Sequence, residues 1–298
     1  MPASLLTFAP TQKKHHMFNR SICQALVAIL IWASVAAITM QLQSIAVLGL
    51  LTIIQSCAFV VACFYLGYHQ NFKQVAQPWT VWLTSYIGLV GNNLAYFYAF
   101  QYAPPLHIDL ICWTWPLLFG FVLKFINKSP VPSRFFIGCL ACLISLAMMK
   151  PDITTIQHYP HFWIGCTLAL VGSMAWVSYM FINYQYTTPV GWTGIIFGLG
   201  AITTGWLHYH YEPTMVISAS QWLWLLVIGL GSASGAFMLW NQAIQDQKQT
   251  LRISMLAYLT PAISVLLLIV CQITPLTLQT LLATTCMTLA LYLCHIKT

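Results

Sequence analysis

Charged side chains are scarce in this sequence. Only 5% of its 298 residues are Asp, Glu, Lys or Arg, whereas about a quarter of a soluble domain is charged. Hydrophobic residues make up 59% of the chain, and the mean hydropathy is +0.78. Because the apolar residues are spread over the whole length, one membrane anchor does not account for them. The composition excludes an ordinary water-soluble domain and predicts a protein that crosses a membrane many times.

Clusters of positive charge are also missing, although the formal net charge is +7. The Lys and Arg residues stand singly or in pairs between apolar runs, without the basic face and stacking aromatics that nucleic-acid binding requires. The sequence has no glycine-rich loop that ends in Lys followed by Ser or Thr, so nothing in it indicates ATP-driven transport. We therefore expect no nucleic-acid partner.

The ten cysteines do not form a disulfide pattern. Nearly all of them lie inside apolar runs, where a reduced Cys packs as a small hydrophobic residue. Cys139 and Cys142 form one C-x-x-C pair without a second pair, which favours packing over metal binding. We expect neither a metal nor a cofactor.

Residues 1–20 are too polar for a signal-peptide core and are predicted to form a short cytoplasmic extension.

The apolar runs are long enough to cross a bilayer as helices, which takes about 20 residues. Short polar breaks separate ten such segments: 21–39, 44–66, 78–100, 104–124, 133–149, 161–182, 190–208, 218–241, 250–271 and 276–295. With the N-terminus in the cytoplasm, Lys150 is the one basic residue placed outside, as the positive-inside rule favours. This orientation also places Asp152 and Glu212 outside.

The second half of the sequence repeats the first. Trp32 and Trp176 share one local pattern, Ala-Leu-Val followed by Trp and Ser, at a displacement of 144 residues, and Pro116 matches Pro261 at 145. Because a unit of five segments is odd, the second unit enters the membrane from the opposite side. Such inverted repeats are typical of secondary transporters, which bind substrate near the midplane where the repeats meet. We predict an all-α membrane protein of two inverted five-helix repeats with both termini cytoplasmic. The repeats span 21–149 and 161–295.

Aromatic and proline residues at these positions resemble a known family. They are Trp32, the Trp115-Pro116 pair, Trp176 with Tyr179, the Trp240-Asn241 pair, and Tyr258 followed by Pro261. They are similar to the EamA branch of the drug/metabolite transporter superfamily, and within it to the bacterial aromatic amino acid exporters. The resemblance covers the chain from about residue 20 to the end. It implies a ten-helix, multi-pass exporter of the bacterial inner membrane that moves a small molecule without a cofactor. We expect it to lie in the lipid bilayer as a monomer or a weak homodimer.

The sequence departs from that family in two places. Many EamA units carry an acidic residue just after their fourth helix, whereas residues 124–127 and 271–272 contain none here. The stretch around His107 and Asp109 also differs from the exporters.

Asp109 is the acid that lies clearly inside a predicted span. A carboxylate there costs at least a few kcal/mol, so it faces a bundle interior or water, has a partner, or is protonated. One interpretation is contact with a substrate ammonium group or a role in proton coupling; the other is a hydrated residue near the interface. His107 points to a different face of the same helix and is predicted as a coupling, gate or interface residue.

Aromatic residues from several segments are predicted to line a cavity that suits planar or cationic solutes. The predicted substrate-binding residues are Trp32, Tyr98, Trp113, Trp115, Trp176, Tyr179, Trp240, Asn241 and Tyr258. Asn92 and Asn93 are further hydrogen-bonding candidates. Pro116 and Pro261 are predicted hinges, because a proline removes a helical hydrogen bond.

Two alternatives remain open at this stage. The same fold is compatible with a nucleoside, a cationic drug or a methyl-donor metabolite as substrate. The small-residue run around Ser234, with His295 as its base, is the remote alternative of an intramembrane serine hydrolase. The leading prediction is a non-enzymatic exporter of small amino-acid-like or aromatic metabolites that works by alternating access.

Overall fold

The computed structural model describes residues 12–70, 72–128, 130–186, 188–244, 253 and 256–294, without the side chains of 12–19 and 74. The backbone of these residues forms helices and no strand. The α-helices are α1 Gln12–Thr39, α2 Val47–Tyr68, α3 Trp79–Tyr86, α4 Asn92–Ala99, α5 Pro105–Cys112, α6 Trp115–Ile126, α7 Ser133–Met148, α8 Ile153–His158, α9 Phe162–Gln185, α10 Trp192–Tyr211, α11 Ala219–Leu226, α12 Phe237–Ile244, α13 Thr260–Val270 and α14 Leu278–Cys294.

Helical residues lie in each of the ten predicted apolar segments. Five stretches are long and apolar enough to cross a membrane: Arg20–Leu42, Val47–Tyr68, Pro105–Ile126, Phe162–Gln185 and Ala219–Ile244. Many large apolar side chains point outward, such as Phe125, which is 86% exposed. The chain is a multi-pass membrane protein, as its composition predicts. That it crosses ten times stays a prediction. Helix α1 begins eight residues before the end of the predicted N-terminal extension.

Two spans that the sequence predicts as uninterrupted contain a π-helical stretch. Ile87–Gly91, named π1, joins α3 to α4, and Val227–Ala236, named π2, joins α11 to α12. A π-turn widens the helix by one residue and often marks a functional site. Each stretch is rich in glycine, which tolerates this geometry because it has no side chain.

Two pairs of helices pack antiparallel along their length. Helix α2 lies on α10, where Thr52 Oγ1 donates to Thr204 Oγ1 at 3.0 Å. Helix α7 lies on α14, where Ser145 Oγ donates to the Ala283 carbonyl at 2.7 Å and Cys294 Sγ to the Phe135 carbonyl at 3.5 Å. Small residues at these contacts allow the close approach that membrane helices favour.

Helices α1 and α9 each pack against several other helices. Helix α1 packs on π2, α12 and α13, while α9 packs on π1, α4, α5 and α6. Trp32 and Trp176 stand near the middle of these two helices. The fold thus brings the two repeat-related tryptophans toward a common centre.

Glu212 joins three helices at one end of the bundle. Its carboxylate accepts the Leu48 and Gly49 backbone N–H groups at 3.0 Å each, in the first turn of α2. His208 Nδ1 lies 2.9 Å from the same carboxylate, and the Tyr98 hydroxyl donates to it at 3.4 Å. Since the first N–H groups of a helix have no partner within it, a carboxylate from another helix stabilises this end.

Replacing Glu212 with Ala should therefore destabilise the protein. Two largely buried N–H donors lose their acceptor, at a cost of about 1–3 kcal/mol, which lowers the melting temperature in detergent by several degrees. Asp152→Ala is the matched control, because Asp152 is an exposed acid that caps only the six-residue helix α8. Equal melting temperatures for the Glu212 variant and the parent protein would contradict this role.

Candidate cavity

A cavity of about 170 Å³ lies between the central helices. Aromatic rings make up much of its wall: Trp32, Tyr96, Phe97, Trp113, Trp115, Trp176, Phe197, Phe237 and Trp240. The other lining residues are Val35, Ile54, Asn92, Asn93, Asp109, Cys112, Ser173, Met180, Ile228, Ser232, Ala233, Ala257 and Thr260. A buried apolar cavity of about 150 Å³ is large enough for benzene, so this one has room for an aromatic ring.

The tryptophan rings form a connected cluster across the cavity. Trp32 lies 5.2 Å from Phe237 and 5.6 Å from Trp240, measured between ring centroids. Trp176 lies 5.7 Å from Phe237 and 6.2 Å from Trp115. These separations and tilts are typical of aromatic pairs that stabilise each other edge to face. The cluster joins residues from both halves of the chain.

The span that contains Asp109 is interrupted beside the cavity. Helix α5 ends at Cys112, and α6 begins at Trp115. Pro116 has no N–H to donate to the Cys112 carbonyl, and Ser173 Oγ on α9 lies 3.1 Å from that oxygen and 3.2 Å from the Ile111 carbonyl. The interruption places the rings of Trp113 and Trp115 on one cavity, although regular helical spacing would separate them.

A second proline stands at the start of α13. A short 3₁₀ turn, Ala257–Leu259, precedes this helix, and Pro261 cannot donate to the Ala257 carbonyl. Thr260 Oγ1 donates to that carbonyl at 2.6 Å. Ala257 and Thr260 line the cavity, so a proline interruption from each half of the chain borders it.

Asp109 reaches the same cavity from α5. The residue is 3% exposed, and Trp113 Nε1 donates to its Oδ1 at 3.3 Å. The Ser264 hydroxyl interacts with the carboxyl group, and both Asp109 Oδ2 and Ser264 Oγ are buried.

Comparison with known proteins places a curated exporter among the relatives of this chain. The chain is 25% identical over 249 residues to the aromatic amino acid exporter YddG of Ancylobacter novellus, a match that covers 82% of this chain and 85% of that one. This chain is a homologue of an aromatic amino acid exporter. The resemblance predicted from the sequence is thereby confirmed. No family model matches the chain. A solved crystal structure shares the fold with a TM-score of 0.71 and 21% sequence identity, over 92% of this chain and 96% of that one.

Six residues of the predicted site line the cavity, namely Trp32, Asp109, Trp113, Trp115, Trp176 and Trp240. The other predicted ligands lie elsewhere. Tyr98 contacts Glu212, and Tyr179 is buried against π1, where a Cβ at Gly88 would lie 2.8 Å from the Tyr179 nitrogen. Asn241 and Tyr258 are each adjacent in sequence to a lining residue. Their roles as ligands stay predictions.

His107 faces away from the cavity. Its Nε2 donates to the Met149 carbonyl at 2.8 Å, and its ring packs edge-on against Phe162 at 5.0 Å. These contacts tie α5 to the end of α7 and the start of α9. The predicted roles of His107 in coupling and of Pro116 and Pro261 as hinges stay predictions.

Sequence reasoning missed four aromatic lining residues. Helical spacing could have revealed Tyr96 and Phe97, since they follow Asn92 and Asn93 by four positions, and Phe237, which precedes Trp240 by three. Phe197 has no such signal, because α10 is apolar on several faces.

Ser234 does not have the surroundings of a nucleophile in the described part of the chain. Its Oγ is buried and lies 2.7 Å from the Gly229 carbonyl and 2.8 Å from the Leu230 carbonyl of its own helix. Its proposed base, His295, lies outside the described residues.

The contact between Ser173 and the interrupted span is open to a direct test. Ser173→Ala removes the hydroxyl that lies within hydrogen-bond distance of the Cys112 carbonyl, and about 1–3 kcal/mol of stability should be lost, which lowers the melting temperature in detergent by a few degrees. Ser178→Ala is the control, since Ser178 lies on the same helix and donates to the Ala175 carbonyl within that helix. If both variants melt at the same temperature, Ser173 does not stabilise the interruption.

Proposed function

We propose that the chain is a secondary exporter of aromatic, amino-acid-like metabolites across the bacterial inner membrane, and that it works by alternating access. The observation that carries the proposal is the cavity with nine aromatic rings at the junction of both halves, bordered by two proline interruptions. Stacking on such rings suits a planar side chain. The homologous aromatic amino acid exporter supports the same substrate class.

The packing of the helices supports the inverted-repeat arrangement. A displacement of 145 residues carries 133–148 onto 278–293, which coincides with α14, so α7 and α14 are equivalent and lie antiparallel. Helices α2 and α10 are equivalent in the same way. Helix α1 packs on α12 and α13 as α9 packs on α4, α5 and α6. Antiparallel packing of helices at matching positions supports the proposal of a pseudo-two-fold axis in the membrane plane, as in transporters.

Movement of the halves against each other would open the cavity to one side at a time. Interrupted helices are places where such movement concentrates, because fewer backbone hydrogen bonds cross them. The rings of Trp113 and Trp115 flank one interruption, and Ala257 and Thr260 border the other. A rotation at either site therefore changes the cavity wall directly.

No specific contact in the described cavity favours nucleosides or methyl-donor metabolites as substrates. No contact favours a serine hydrolase either, since the Ser234 hydroxyl donates within its own helix. A cationic aromatic solute is favoured by one observation, the acidic side chain of Asp109 on the cavity wall.

The ten-crossing arrangement predicts the side on which each loop is accessible. A cysteine placed at Asp152 should react with a membrane-impermeant maleimide in intact cells, whereas one at Asn127 should react only after permeabilisation. Both positions are exposed and lie between helices. Exposed Cys23 and Cys271 are replaced by Ser in the parent, which serves as the unlabelled control. The reverse labelling pattern would overturn the proposed orientation.

The aromatic wall should be essential for transport. Proteoliposomes that contain the protein should exchange labelled phenylalanine or tryptophan faster than empty ones, and Trp176→Ala or Trp115→Ala should reduce the rate at least about tenfold, because each removes a large stacking surface. Trp163→Ala is the control, since Trp163 lies on the same helix as Trp176 but is 69% exposed. Full exchange rates in both cavity variants would contradict the proposal.

A further inference from the structure

Two asparagine side chains line the cavity at the start of α4. Asn92 and Asn93 follow π1 directly and are half-buried. Within the described part of the chain, neither side-chain amide takes part in a hydrogen bond. Amide groups inside a protein generally have hydrogen-bond partners, and π-helical turns often mark functional sites. The pair therefore indicates that a polar group of a ligand is bound at this part of the wall.

The indole N–H of Trp176 is a third polar group without a partner. Trp176 lines the cavity, and its Nε1 is buried without an acceptor among the described residues. The N–H of a buried tryptophan usually finds an acceptor, and an indole nitrogen can only donate. The group that completes this bond must therefore present an oxygen acceptor. An ammonium group, which only donates, cannot do so.

Asn92 and Trp176 lie on neighbouring turns of two helices in contact, α4 and α9. A Cβ at Gly172 would lie 3.3 Å from Asn92 Oδ1, so the Asn92 side chain reaches α9 one turn before Trp176. Side chains on a helix lean toward its N-terminus. The Trp176 side chain therefore extends toward the turn that Asn92 contacts, and the two polar groups share one patch of the cavity wall.

This patch offers neutral donors to an anion. No Lys or Arg is among the lining residues that the structure describes. Asp109, the acid on the same wall, already has the Trp113 indole and the Ser264 hydroxyl as neighbours. A carboxylate only accepts hydrogen bonds, and bonds to an ionised acceptor are about twice as strong as neutral ones. Two or three N–H donors can therefore hold a carboxylate without a cation.

We propose that Asn92 and Trp176 Nε1 form a subsite that binds the carboxylate of the cargo, with Asn93 as a further donor. This inference rests on the proposed transport function and names the group that the cavity recognises besides the aromatic ring. The rings of Trp115 and Phe237 lie 6.2 and 5.7 Å from that of Trp176, so a cargo ring can stack beside the subsite. Asn92 and Trp176 are then specificity-determining residues that favour a carboxylate over a neutral amide or no group at all.

Three ligands with one phenyl ring and one ammonium group test this preference. They are phenylalanine; phenylalaninamide, in which a neutral amide replaces the carboxylate; and phenethylamine, which lacks the group. Their dissociation constants for the purified protein are measured from tryptophan fluorescence in mildly acidic detergent solution, where all three amines are protonated. We expect phenylalanine to bind at least about tenfold more tightly than the other two. Competition with the exchange of labelled phenylalanine in proteoliposomes should follow the same order.

Variants then assign the preference to the two residues. Asn92→Leu removes the amide at similar volume, and Trp176→Phe removes the N–H but keeps a ring. Each should reduce the ratio of the phenylalaninamide and phenylalanine dissociation constants at least about threefold. The ratio is the readout because a loss of stacking affects both ligands alike. Asn127→Leu and Trp163→Phe alter exposed residues and should leave the ratio unchanged.

The outcomes distinguish this inference from the function on which it rests. Binding of phenylalaninamide or phenethylamine as tight as that of phenylalanine would overturn the carboxylate subsite and leave aromatic transport intact. An unchanged ratio in the folded variants would overturn the assignment to Asn92 and Trp176. Absence of binding and exchange for all three ligands would contradict both proposals. Should one variant fail to fold, the other variant and the ligand order of the unaltered protein decide.

Discussion

Inside a bilayer, each backbone polar group must find its partner within the protein, and this requirement governs the structure around the cavity. Pro116 leaves the Cys112 carbonyl without its helical donor, and the Ser173 hydroxyl on α9 lies within hydrogen-bond distance of that oxygen, as it does of the Ala169 carbonyl in its own helix. Pro261 likewise has no N–H to donate to the Ala257 carbonyl, and the Thr260 hydroxyl donates to that carbonyl instead. The interruptions are thus bonded locally, and one of them is fixed to a neighbouring helix.

The cavity depends on these interruptions. In one regular helix, Trp113 and Trp115 would point to nearly opposite sides. The break at residues 113–114 interrupts the regular helical spacing, and both rings line the same space. The backbone chemistry of one proline therefore decides which side chains meet the cargo that we propose.

Much of the helical arrangement follows from the sequence alone. Apolar runs and polar breaks predict the helices, because membrane crossing requires a minimum apolar length. The positions of the two proline interruptions follow from the missing N–H group. Helical spacing, however, predicts only which residues share a face and leaves open which face turns inward.

Tyr179 illustrates that limit. It lies one turn after Trp176, so spacing places both on one face of α9. The structure buries Tyr179 against Gly88, where the lack of a side chain allows π1 to approach α9 closely. This contact joins residues far apart in sequence, within a π-helical stretch that the sequence did not predict. Phe197 was missed for a similar reason, since it reaches the cavity through the packing of α10 on α2.

The two halves share their backbone features but differ in polar chemistry. Displacement by 145 residues pairs Pro116 with Pro261 but Asp109 with a serine, and displacement by 144 pairs Ser173 with an isoleucine. In the alternating access that we propose, the halves exchange equivalent conformations, which the paired prolines suit. Asp109 therefore makes the described cavity wall asymmetric, with an acidic side chain contributed by the first half and none by the second.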